Sequence, residues 1–205
     1  MRINKFILIA FMISGMTALI YEVVWSRPLQ LIFGSTIYAA STILTTFLAG
    51  FSLGAYLLRN IADNSKNPLR LFGLIELGIG LYGIIILGLF KILPSIYLPI
   101  TDISGIQFIQ FLLLFLVIII PATLFGATWP VVNRIYVRFE KTGRDIGRLY
   151  SCNSFGSFLG PLAAGFVLIP LLGIKTTSIF TACLNLSIGI IIVLYSIKKR
   201  GEYGF

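Results

Sequence analysis

Histidine is missing from the sequence altogether, and cysteine occurs only as Cys152 and Cys183. The first absence removes the commonest proton-transfer side chain and the commonest metal ligand. The second leaves too few thiols, too far apart, for a metal cluster or a disulfide framework. Both cysteines fall in apolar runs and read as small packing residues. Charge is scarce too: 11% of residues are Asp, Glu, Lys or Arg against 58% hydrophobic, with a mean hydropathy of +0.99. So little polar surface excludes a water-soluble globule and points to a polytopic membrane protein. There is no phosphate loop, no G-x-G strand-to-helix turn, and no Ser/His/Asp or Cys/His set. Neither group-transfer chemistry nor a cofactor or metal is therefore expected of these residues.

The net charge of +9 does not point to nucleic acid, because the bases are not gathered into one patch interleaved with exposed aromatics. They lie between apolar runs, where they set topology. The start, M-R-I-N-K before an apolar stretch, resembles a secretory signal but has no small-x-small cleavage site before Glu22, and reads as a retained signal anchor. Because about 20 apolar residues cross a bilayer core, the sequence predicts six spans, at 6–25, 37–58, 69–90, 106–132, 146–172 and 174–197. The connection at 91–105, with Pro94 and Pro99, is too short for a span and is expected to be interfacial or re-entrant.

Thirteen of the sixteen Lys and Arg residues fall on one side of this arrangement, and only Arg27, Lys91 and Lys175 on the other. That asymmetry predicts a multi-pass protein of the plasma (inner) membrane with both termini cytoplasmic. No linker is visible, so residues 1–199 read as one six-helix domain followed by a short cytoplasmic tail, 200–205.

Two acids lie inside apolar runs, where a charge near the helix centre costs about 2.5–3.5 kcal/mol. Glu22 sits near the outer end of the first span. Its spacing of five residues from Arg27 suits no helical pair, whereas Tyr21 and Trp25 can offer aromatic faces to a cation beside it. Glu76 lies about two turns into the third span, with no base in that span, so its partner must come from another helix, the backbone or a ligand. At similar depth Thr128 and Trp129, and Asn153 and Ser154, can complete a polar cluster; Asn185 is the polar residue of the sixth span. The alternative for Glu22 is a hydrogen bond to a neighbouring helix or snorkelling to the outer interface, and for the others a hydrogen bond that fixes helix register. Gly50 and Gly54, and Gly156 and Gly160, have the G-x-x-x-G spacing that lets helices approach closely. Pro121, Pro130, Pro161 and Pro170 are placed to kink helices.

The segments S-G-M-T-A-L-I-Y-E-V-V-W-S-R-P-L (14–29), F-L-A-G-F-S-L-G-A-Y-L (47–57), P-L-R-L-F-G-L-I-E-L-G-I-G-L (68–81), L-F-G-A-T-W-P (124–130) and G-R-D-I-G-R-L-Y-S-C-N-S-F-G-S-F-L-G-P-L-A-A-G-F-V-L-I-P-L-L-G (143–173) together resemble the membrane domain of the spermidine synthase-like membrane proteins. In those proteins a facilitator-type membrane domain is fused to an aminopropyltransferase-like domain. The resemblance implies an all-α bundle like half of a major facilitator-type transporter. It also implies that Glu22, Trp25, Glu76, Thr128, Asn153 and Asn185 are motif positions, here the candidate substrate-binding residues. A departure at Leu58-Arg59-Asn60, where the family tends to have Gly-Gly-Arg, removes that loop base from the motif.

The expected function is that of a transporter-like protein for a cationic amine such as a polyamine. Its partners would be the lipid bilayer, a second copy or another membrane chain, and a soluble synthase-like protein, with no nucleic acid. The alternative is a non-transporting anchor for a separately encoded aminopropyltransferase-like enzyme; lipid handling is a third option.

Overall fold

A computed structural model describes residues 2–34, 36–97, 106–137 and 139–202, and these are helical almost throughout. Helix α1 is Arg2–Phe33, α2 Ile37–Asn64, α3 Pro68–Tyr97, α4 Ile106–Tyr136, α5 Thr142–Ala163 and α6 Ile169–Glu202. A 3-10 turn, Phe139–Lys141, precedes α5, and a π-helical segment, Ala164–Leu168, joins it to α6. No strand occurs among the described residues.

Local signals set several helix ends. Thr36 caps α2, its hydroxyl accepting from the Ala39 N–H at 3.1 Å. Pro68 opens α3, where its missing N–H costs nothing, and Asn67 Oδ1 accepts from the Arg70 N–H at 3.0 Å. In the π segment the Ile169 N–H bonds to Ala164 O, five residues back. Pro170, next in the chain, has no N–H with which to restore the α register.

Five helical stretches are long and apolar enough to cross a membrane: Lys5–Phe33, Ile37–Asn64, Pro68–Tyr97, Phe108–Tyr136 and Thr142–Lys198. The last covers both of the final two predicted spans and is 57 residues long. Unbroken, it would measure about 85 Å at 1.5 Å per residue, far more than a bilayer core of about 30 Å. It is broken at Gly173, with φ 74° and ψ 169°. The two sides of Gly173 also run in opposite directions. Asn153 and Ser157 of α5 bond to Phe11 O and Gly15 O, in parallel register with α1, whereas Ser178 and Asn185 of α6 meet Trp25 and Thr17, in antiparallel register. The helices also run past the predicted span ends: α1 continues through Pro28 to Phe33 and α3 through Pro94 to Tyr97. The first half of the expected 91–105 connection is thus helix, while 98–105 and the end of the tail, 203–205, lie outside the described residues.

Gly173 occupies a backbone region that only glycine visits without strain. Gly173→Ala is therefore expected to destabilise the fold by about 1–3 kcal/mol, read as a lowered thermal unfolding midpoint in detergent.

Helix α1 is central and touches every other helix; α2 packs on α4, α3 on α6 and α5 on α1. The core holds Phe11, Tyr21, Trp25, Phe47, Phe72 and Ile118. The outside is as apolar as the inside, with Leu31, Phe158, Phe166 and Leu171 all more than half exposed. Such a surface matches a lipid environment, so the bundle has the character of an integral membrane protein. Buried hydroxyls mostly satisfy themselves within their own helix, as Thr46 does on Thr42 O and Thr181 on Thr177 O, both at 2.7 Å.

Candidate functional site

Ser14, Thr17, Tyr21 and Trp25 follow one another at spacings of three or four and so line one face of α1. All four are buried. That face meets Glu76 and Gly83 of α3 and Ser178 and Asn185 of α6. The result is a polar line through the bundle, about 16 Å long at 1.5 Å per residue of α1.

Glu76 is at the centre, with 0% of its surface exposed. Asn185 Nδ2 donates to Glu76 Oε2 at 2.7 Å and to Thr17 Oγ1 at 3.0 Å. The Ser14 hydroxyl faces the same carboxylate. Glu76 Oε1, Asn185 Oδ1 and the Tyr21 hydroxyl are buried without a hydrogen-bond partner. No Lys or Arg is paired with Glu76 among the described residues. Further along, Tyr21 stacks on Trp25 with ring centroids 4.3 Å apart, Trp25 Nε1 donates to Ser178 Oγ at 3.3 Å, and Ser178 donates to Gly83 O at 3.2 Å.

On the other side of Ser14 lies a cavity of about 220 Å³ between α1, α2, α4 and α5. Aromatic walls come from Phe11, Phe51, Phe125 and Trp129, and polar groups from Ser14, Thr128, Asn153 and Ser157. Thr128 donates to Phe125 O at 2.7 Å, Ser157 to Gly15 O at 3.3 Å and Asn153 Nδ2 to Phe11 O at 3.2 Å. The two hydroxyls have thus committed their protons to backbone carbonyls and keep oxygen lone pairs free, as does the Asn153 amide oxygen. A cavity of spare acceptors and aromatic faces suits a ligand rich in N–H donors and carrying positive charge.

The predicted site residues divide three ways. Glu76 and Asn185 are bonded to each other, and Trp25 stands at the far end of their line. Thr128 and Asn153 share the cavity, which Ser14 joins to Glu76. Glu22 belongs to neither: Tyr21 and Trp25 are fully buried on the inner side of α1, and Glu22 faces a separate groove with Ser26 and Gln30. The aromatic faces expected beside Glu22 are therefore directed inward. Ser154 is exposed and its expected place is taken by Ser157. Ser14, Thr17 and Ser178 do not stand out in the sequence one by one; the 3-4-4 spacing of Ser14, Thr17, Tyr21 and Trp25 carries the signal. The two cysteines are free thiols, Cys183 exposed and Cys152 partly so, and no group of metal-binding side chains occurs among the described residues.

The geometry thus defines an all-helical, membrane-type bundle with an acid and an amide bonded at its centre. The sequence is similar to that of a polyamine aminopropyltransferase from Leptospira interrogans serogroup Icterohaemorrhagiae serovar copenhageni (strain Fiocruz L1-130), with 26% identity over 182 residues. The match covers 89% of this chain and 34% of that protein, so the chain spans about a third of the relative's length. No protein-family model matches, and no solved structure matches.

Proposed function

We propose that the chain is a transporter-like membrane protein for a cationic amine of the polyamine class. In this reading it crosses the plasma membrane six times, reversing at Gly173, with both termini in the cytoplasm. Its bundle resembles half of a facilitator-type transporter, and alternating access is completed by a second copy or a partner chain. The amine lies in the cavity beside Thr128 and Asn153, with its charge compensated by Glu76, and Trp25 closes the far end of the polar line.

One observation carries this reading. A fully buried carboxylate keeps an unpartnered oxygen, and Ser14 connects it to a cavity of free acceptors and aromatic rings. An intramembrane acid without a basic partner suits a cationic ligand. The similarity to a polyamine aminopropyltransferase supports the choice of polyamines among cations. The same similarity favours a second reading, in which the chain anchors an aminopropyltransferase-like enzyme to the membrane.

Thermal unfolding in detergent separates the two. Millimolar spermidine is expected to raise the unfolding midpoint beyond Mg²⁺ at matched ionic strength, since ligand at 100 times its Kd stabilises by about 2.7 kcal/mol. Equal shifts with spermidine and Mg²⁺ would overturn the amine site and leave the anchor reading.

A further inference from the structure

The groove at Glu22 is a different feature from the Glu76 line, on another face of α1. Glu22, Ser26 and Gln30 recur every four residues, so they form one stripe with steps of about 6 Å. Leu19 and Val23 of α1, Ala40, Ile43 and Leu44 of α2, and Pro161 of α5 complete a groove of about 280 Å³. Leu44 is 53% exposed, which opens the groove on the lipid-facing surface of the bundle. Glu22 is partly buried, and among the described residues no hydrogen bond or ion pair holds its carboxylate. Arg27 is exposed and does not line the groove, while Lys91 and Lys175 line a different pocket, beside Pro28.

The lining selects its ligand by charge, donor count and shape. One uncompensated carboxylate among apolar walls excludes anions, and a divalent cation needs six or more oxygens. A quaternary ammonium has no N–H to donate and is usually held by aromatic rings; no aromatic residue lines this groove. A polyamine would place its further charges against Leu19, Val23, Ile43 and Leu44. A single primary ammonium fits each constraint: its N–H donors reach the Glu22 carboxylate and the Ser26 oxygen one turn on, and the rest of its molecule, an aminophospholipid's phosphate included, leaves by the open side of the groove.

We propose that this groove is a second binding site, for a primary ammonium whose remaining molecule leaves by the groove's open side, as in an aminophospholipid headgroup or a soluble alkylamine. The site does not depend on amine binding at Glu76.

Native mass spectrometry of the full chain tests it, with phosphatidylethanolamine, phosphatidylcholine or hexylamine offered at matched concentrations. Phosphatidylethanolamine adducts are expected to exceed phosphatidylcholine adducts about fivefold, in line with a charge-assisted hydrogen bond. The preference should vanish in Glu22→Gln and persist in Glu22→Asp and in Glu76→Gln. Equal adducts from the two lipids, without Glu22-dependent binding of hexylamine, would overturn the site, and so would an unchanged preference in Glu22→Gln. Hexylamine binding that requires Glu22, without a lipid preference, supports the site and makes its source soluble. If Glu22→Gln does not fold, Leu44→Trp, which fills the groove from its open side, is expected to remove the same binding.

Discussion

Glu76→Gln is expected to weaken spermidine binding by about 100-fold while leaving the bundle folded. The two halves of that result rest on different atoms. Binding loses the charge that compensates the amine across Ser14: removing one partner of a buried charge pair costs about 2–5 kcal/mol, and about 2.8 kcal/mol corresponds to 100-fold at about 1.4 kcal/mol per decade. The fold keeps its shape because Gln has nearly the same volume, and its carbonyl oxygen can still accept from Asn185 Nδ2, now at 2.7 Å from Glu76 Oε2. The new amide N–H groups replace Glu76 Oε1, and two further buried oxygens, Asn185 Oδ1 and the Tyr21 hydroxyl, are also without partners. They bring donors to a bundle centre in which buried acceptors are spare. The unfolding midpoint of Glu76→Gln without ligand should therefore equal or exceed that of the native protein. Calorimetric titration of spermidine into both proteins in detergent measures the first effect and a thermal scan the second. A lowered midpoint with unchanged affinity would assign Glu76 to helix register alone.

Much of this arrangement is legible in the sequence, and what is hidden has a common cause. Glu76 stands out because a charged residue in an apolar run is costly. The break between the last two predicted spans falls at Gly173, where the backbone reverses. Helix ends are less legible, since a bilayer ruler measures apolar length and says nothing of helix that continues beyond it, as α1 does from Trp25 to Phe33. Depth along each helix is legible too: Thr128 and Asn153 share a cavity that Ser14 separates from Glu76.

Rotation about each helix could not be counted in the same way. Whether residue 153, 154 or 157 faces the core depends on which helices flank α5, a property of contacts more than a hundred residues apart. Asn153 and Ser157 face α1 with Gly156 and Gly160 because small residues there let the two backbones meet, and Ser154 is turned outward. Ser14 and Thr17 were hidden for a further reason. Ser and Thr in membrane helices commonly bond to their own backbone, as Thr17 does on Ser14 O at 2.9 Å, so their presence alone signals no site. Only the arrival of Asn185 and Glu76 from two other helices gives that face its meaning.

The largest effect on stability is expected from Gly126→Leu. Helices α2 and α4 run parallel and pack along Gly50, Gly54 and Gly126. A Cβ built on Gly126 would lie 2.6 Å from Phe51 Cα and 2.7 Å from Phe51 C, and one on Gly54 would lie 2.7 Å from Ala127 N. These neighbours are backbone atoms, which cannot rotate aside as a side chain can. Overpacking a core usually costs about 1–3 kcal/mol, but here four extra carbons must separate two helices along their contact. The loss should exceed about 4 kcal/mol, enough to prevent recovery of folded protein. Substitution at Gly88 or Gly165 makes the contrast, because a Cβ there meets nothing within 4 Å. Gly88→Ala should be neutral or gain up to about 1 kcal/mol from helix propensity. Size-exclusion profiles and unfolding midpoints of Gly126→Leu and Gly88→Ala in the same detergent provide the comparison. If Gly126→Leu is recovered folded with a native midpoint, α2 and α4 are not packed at backbone contact, and the cavity wall that Phe51, Phe125 and Gly126 form between them would have to be redrawn.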